Sequence, residues 1–248
     1  MSKFAYLIAC ITCLLIISTS CRNQKSDKIE NEVPTEEEKA QAVKDILKQG
    51  VEKATAILSA ENGFLADDSL KITLPEEAQN LIKNIKKLPK GEELLNKVII
   101  QVNQAAGNSI SAITPIINTA IDSMSIEEAN RILAADNAAA TAYLEKIMRE
   151  PLHTACEPII IQSMDKDMYG LSTRSTWNNL IDMYNDMANS GIGKIANIEP
   201  VDVALDDVVT KKILDALFYL IAKEEMSIRK HPGTRISKSV AKSFGWID

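Results

Sequence analysis

Residues Leu205 to Lys230 read LDDVVTKKILDALFYLIAKEEMSIRK, and from Ile213 to Ala222 only Asp215 carries a charge. A helix with one apolar stripe lies on a surface, whereas one apolar on almost every side needs neighbours on several faces. The stretch is therefore expected to be the central helix of a bundle. Its ends agree with that reading. Asp206 and Asp207 stand at the positive N-terminal pole, Arg229, Lys230 and His231 at the negative C-terminal pole, and Pro232-Gly233 stops the helix.

Working outward, other segments show helical periodicity. Thr35 and Glu38 form a capping box ahead of Val43, Ile46, Leu47, Val51, Ala54 and Leu58. Gly50 falls on that apolar stripe, at a cost of about 1 kcal/mol in helix propensity, so a close helix crossing is expected there. Asn62-Gly63 ends the helix, and residues 63–74 form an irregular connector to Pro75, where a second helix starts. After Pro89-Lys90-Gly91 comes the longest periodic segment, from Leu95 to Met124, bent by Pro115. Ser125 and Glu128 make a second capping box, opening a helix through Leu133. A further helix starts near Asp136 and meets Pro151, which either kinks or breaks it. Trp177 to Met187 mark the next helix, stopped by Gly191. A second irregular connector follows to Ala204, and a last short helix runs from about Arg235 to Phe244. No segment sustains two-residue alternation, so no sheet is expected. The fold class is all-α, one multi-helix bundle over residues 35–248 around the central helix at 205–230.

The N-terminus carries an address. Lys3, the apolar run Phe4 to Ile17 and the small residues Ser18, Thr19 and Ser20 have the layout of a secretory signal, residues 1–20. The run falls short of the about 20 apolar residues that span a bilayer. Cys21 directly after the small residues is similar to a bacterial lipobox cysteine, whose thiol is acylated, with Ser18 standing where Leu is usual. The alternative Leu7-Ile8-Ala9-Cys10 leaves almost no apolar region before it, and an ordinary cleaved signal is the bland reading. Residues 21–34 are polar and aperiodic, a flexible tether between lipid and domain. Arg22 in place of Asp after the cysteine points, by analogy with lipoproteins generally, to the outer membrane.

Cys10 and Cys13 lie in the signal, so acylation of Cys21 leaves Cys156 without an intrachain partner and the fold without a disulfide. The remaining chain is long enough to bury roughly 70% of its unfolded surface. Removing residues 1–20 takes away Lys3 and no acid, moving the formal charge from −6 to −7. An acidic chain without a basic block argues against nucleic acid and against a polybasic membrane face.

The motifs that suggest chemistry are weak. Ser190-Gly191-Ile192-Gly193-Lys194 resembles the end of a phosphate loop, but Ile195 stands where Ser or Thr belongs, Ala188 replaces the first glycine, and no strand precedes it. His153, Cys156 and Glu157 share one helical face, yet Cys156 lies on the apolar stripe of Leu152 and Ile159, where burial raises a thiol pKa and makes it a poor nucleophile. With only His153 and His231 in the chain, any histidine triad has to use one of them. Glu224-Glu225 with Arg229 reads as an exposed ion pair. Asp215 reads as a buried structural charge, paired with Lys211, Lys212, Arg131, Arg149 or Arg174. No catalytic, cofactor-binding or metal-ligating residue is assigned, and no cofactor is expected.

Three stretches carry a family resemblance: KQGVEKATAILSAENGFLADDSLKITLPE from Lys48, MSIEEANRILAADNAAATAYLEKI from Met124, and LDDVVTKKILDALFYLIAKEEMSIRKHPGTR from Leu205. Together they resemble the bacterial exported and lipoprotein family known as domain of unknown function 4197. The departures are Val208-Val209, where the family tends to have an aromatic before the Val, and Ala216, where it tends to have Gly. The resemblance implies a helical exported domain and brings no established activity. The expectation is a lipid-anchored envelope module that binds a protein or small-molecule partner or supports the envelope, and not an enzyme. The rival is a small-ligand binder or enzyme with its site where the 63–74 connector meets the central helix.

Overall fold

The computed structural model describes residues 33–247 other than 134, 136, 137 and 169. The signal, Cys21 and most of the tether lie outside the described residues, as does the helix start expected near Asp136. Nine α-helices are described: α1 Glu36–Leu58, α2 Gln79–Asn84, α3 Gly91–Asp122, α4 Ile126–Leu133, α5 Ala139–Asp165, α6 Thr173–Asn189, α7 Gly191–Ile195, α8 Leu205–Lys230 and α9 Lys238–Ile247. The β-pairing among the described residues is the two-residue antiparallel contact of Asp167–Met168 with Leu171–Ser172, so the all-α class holds.

Local chemistry sets the helix ends. At α1, Thr35 Oγ1 accepts from Glu38 N at 3.2 Å and Glu38 Oε2 accepts from Thr35 N at 2.9 Å, which satisfies two orphan N–H groups of the first turn. Ser125 and Glu128 repeat the arrangement ahead of α4. α3 runs on through Pro115, and α5 through Pro151 and Pro158. Both α5 prolines sit on its exposed side, where the carbonyls they free can turn to water, so Pro151 leaves the helix continuous. Gly191 does not simply stop a helix. Ser190 Oγ accepts from Gly193 N at 3.0 Å and starts the single turn of α7 within the expected irregular connector.

The bundle has a two-helix centre. α8 has the expected bounds, and it packs against α1 and α5 with Ile213, Leu214, Leu217, Phe218 and Ile221 buried. α1 is equally central, since it also meets α3, α4 and α9. The two cross at Gly50, where a Cβ would lie 2.9 Å from Ile221 Cγ2 and 3.2 Å from Ile221 Cα. The close crossing expected from a glycine on an apolar stripe is there, and the packing is what repays its propensity cost.

A buried polar clamp joins the helices. Glu225, fully buried on α8, accepts from Ala140 N at 3.0 Å, from Thr141 N at 2.8 Å and from Thr141 Oγ1 at 2.7 Å, so it caps α5 from another helix. Arg229, one turn on, bonds the same carboxylate at 2.9 Å and donates to Ala135 O at 2.8 Å and Leu133 O at 3.2 Å beyond the end of α4. One ion pair thus satisfies the orphan N–H groups of α5 and the orphan carbonyls of α4. Glu224 is also buried, bonded to Lys53 and to Gln49 of α1. The exposed ion pair expected at Glu224-Glu225 and Arg229 is therefore corrected: helical spacing identifies the pair but not the neighbours that enclose it.

Candidate functional site

Asp215 is not the buried charge of α8. Its side chain is 48% exposed and pairs with Arg149 Nη1 of α5 at 2.9 Å, while Arg149 also bonds Glu145 and lies over the Phe218 ring. The position falls at the rim of the α5–α8 contact, where Leu214 and Phe218 fill the interior. Arg174, another partner considered for Asp215, instead bridges Asp165 and Asp206 at 2.6 Å each.

His153 and Cys156 occupy different surroundings despite sharing a helix face. His153 Nε2 lies 3.1 Å from Asp207 Oδ1 on α8. Asp207 is held below the ordinary carboxylate range, chiefly by the hydrogen bond from Lys211, with His153 adding to it. Cys156 is fully buried and unpaired, and burial pushes its thiol up to about 11. Such a thiol stays protonated at neutral pH and is a poor nucleophile. Among the described residues no three His, Cys, Asp or Glu side chains are grouped as metal ligands, and no helix is long and apolar enough to cross a membrane.

The connector at 63–74 is more ordered than its sequence suggests. Phe64, Leu70, Ile72 and Leu74 are buried in the core. Asn103, buried on α3, grips the backbone of Ile72 from both sides: its Oδ1 accepts from Ile72 N at 2.8 Å and its Nδ2 donates to Ile72 O at 2.9 Å. An amide side chain here does for an irregular segment what a neighbouring strand does in a sheet.

Between the start of this connector and α3 lies a cleft of about 450 Å³, within the usual range for small-molecule sites. Ser59, Glu61 and Gly63 form one wall, and Gln104, Gly107 and Asn108 of α3 the other. Both glycines pack against the C-terminal end of α1. A Cβ on Gly63 would fall 2.3 Å from Ile57 O and 2.7 Å from Leu58 O, and one on Gly107 would fall 3.2 Å from Leu58 O. Only glycine lets the chain fold back onto those carbonyls. Gln104 Oε1 is buried without a hydrogen-bond partner among the described residues and is closed off from the surface. The wall residues supply amides, a hydroxyl and one carboxylate, with no His, Cys or Lys, so what this cleft offers is recognition.

The rival site is expected where the connector meets α8; the cleft lies at the connector's first residues and against α3. The amides Asn103, Gln104 and Asn108, with Gly107 among them, were the signal in the sequence, since polar residues and a glycine interrupt the longest apolar helix. No curated protein and no solved structure matches the chain. A family model does match, over residues 33–245, which is nearly the whole helical domain and covers both the Glu225–Arg229 clamp and the cleft. The chain therefore belongs to the family described as Protein of unknown function (DUF4197).

Proposed function

We propose that the chain is a lipid-anchored helical module of the bacterial cell envelope that works by binding a partner or supporting the envelope, and not by catalysis. The observation that carries the reading is where its reactive side chains go. His153 lies 3.1 Å from Asp207 on the neighbouring helix, Cys156 is sealed in the core, and Glu224, Glu225 and Arg229 hold helices to one another. These groups serve the scaffold, and no His, Cys or Lys lines the cleft among the described residues. The anchor in this reading is Cys21 in the outer membrane, reached through the tether of residues 21–34. Its test is Cys21→Ser in cells. The expected result is loss of the domain from the membrane fraction and an N-terminal peptide without lipid mass, because one short apolar run cannot hold the domain. An unmodified Cys21 in the wild type, or a mature chain starting elsewhere, refutes the anchor. Affinity capture of the mature protein then reports what it binds.

A second reading is a small-ligand binder. The cleft between the connector and α3, lined by the amides Asn62, Asn103, Gln104 and Asn108, is the observation that favours it.

A further inference from the structure

The single turn of α7, whose sequence fails as a phosphate loop, is built to be held still. Ser190 Oγ accepts from Gly193 N at 3.0 Å, and Lys194, Ala196 and Ile198 N–H groups donate to the carbonyls of Ser190, Ile192 and Gly193 at 2.9–3.0 Å. Gly193 seats the turn on the end of α6, since a Cβ there would fall 2.2 Å from Met187 O and 2.4 Å from Ala188 O. What this turn presents to water is apolar. Ile192 is 81% exposed and Ile195 89%, more than any other large apolar side chain among the described residues. Their spacing of three puts them on one face of the turn. Lys194, exposed between them, is the one charged residue from 190 to 198. Two isoleucines fixed side by side in water add nothing to the core, and they mark a contact surface.

We propose that Ile192 and Ile195 dip into the phospholipid surface of the membrane that carries the anchor, with Lys194 at the level of the phosphates. This rests on the envelope reading, in which Cys21 is acylated. Size favours lipid over a protein partner, because two isoleucines are a small part of the about 20–30 residues a side that a stable protein interface uses. Backbone chemistry agrees: the N–H groups of Gly193, Lys194, Ala196 and Ile198 already donate within the turn, so they are not stranded when the tip leaves water. Chain length agrees as well. Residues 21 to 33 span at most about 40 Å when fully extended, so the anchor keeps the domain where a weak contact is enough. Lys194 complements anionic headgroups while its stem lies along the apolar tip. The chain carries a net charge of −6, so the isoleucines and not charge drive the contact.

The test places a polarity-sensitive dye at Gly191→Cys, where a new Cβ meets nothing within 4 Å. The acylated chain, purified from membranes, is set in vesicles of phosphatidylethanolamine and phosphatidylglycerol. Cys156 is buried and does not compete for the dye. The expected result is a blue-shifted emission that spin-labelled lipid quenches, both effects being lost in Ile192→Ser with Ile195→Ser and reduced by Lys194→Glu. Both isoleucines are exposed, so the serines leave the fold intact, and an unchanged thermal melt verifies this. A dye that stays in water on the vesicles overturns the proposal, as does a shift that the serines leave untouched. A shift present without vesicles and growing with protein concentration also overturns it, and makes the turn an interface between copies of the chain. The mass of the N-terminal peptide tests the anchor separately. If Cys21 bears no lipid, the anchor fails, and the turn is judged by adding the same vesicles in excess to the free chain carrying Cys21→Ser: a shift upholds the lipid contact, and no shift overturns it.

Discussion

Replacing Glu225 by Ala removes the carboxylate that caps α5 and strands Arg229. Three hydrogen bonds from Ala140 and Thr141 are lost, at 2.7–3.0 Å, and Arg229, whose side chain is 10% exposed, keeps its charge without its counter-ion. Breaking a buried ion pair by deleting one partner costs about 3–5 kcal/mol. For a domain of this size each kcal/mol moves the midpoint by about 2–4 °C, so Glu225→Ala should lower Tm by about 6–20 °C. Urea unfolding followed by circular dichroism measures the free energy directly. Glu225→Gln keeps one acceptor for the α5 N–H groups and should fall between the two. Removing both partners, Glu225→Ala with Arg229→Ala, should cost less than the sum of the single changes, because the second deletion relieves a stranded charge. A loss below about 1 kcal/mol for Glu225→Ala, or strict additivity in the double variant, would refute the clamp.

Asp215→Ala should change stability by less than about 1 kcal/mol in the same assay, since its pair with Arg149 is half exposed; a cost above about 3 kcal/mol would restore it as a core charge. Gly50→Ala should destabilise by about 1–3 kcal/mol, because its Cβ meets Ile221 Cγ2 at 2.9 Å, and in a double-mutant cycle its cost should be smaller in an Ile221→Ala background but not zero, since Ile221 Cα at 3.2 Å remains. Glu128 is held down to about 2 by its hydrogen bond from Tyr143 and those from Ser125. A folded-state value below the ordinary 4.5 adds stability above about pH 4.5 that disappears as pH falls toward about 2. Tyr143→Phe should flatten that acid limb in a pH series of melts and leave the curve above pH 5 parallel to that of the wild type. Cys156, with its thiol at about 11, should resist iodoacetamide in the native protein near neutral pH and react once urea unfolds the chain, read by peptide mass.

The sequence by itself determined most of the helices, because helical periodicity and capping boxes are local. Thr35 with Glu38, Ser125 with Glu128, and the bounds of α8 at Leu205 and Lys230 all depend on residues within a turn or two of each other. Gly50 announced a helix crossing for a local reason too, since a glycine on an apolar stripe needs something close to it. Which carboxylate is buried was a tertiary matter. Asp215 interrupts the most apolar stretch yet faces the rim, while Glu225, beside a second acid and near Arg229, lies under the α4–α5 junction. One-dimensional periodicity reports how apolar a face is, not which helix ends arrive on it with orphan N–H groups and carbonyls. The cleft has the same origin. Asn103, Gln104, Gly107 and Asn108 read as interruptions of a long helix, and they become a wall only when the chain after α1 folds back at Gly63 onto the carbonyls of Ile57 and Leu58.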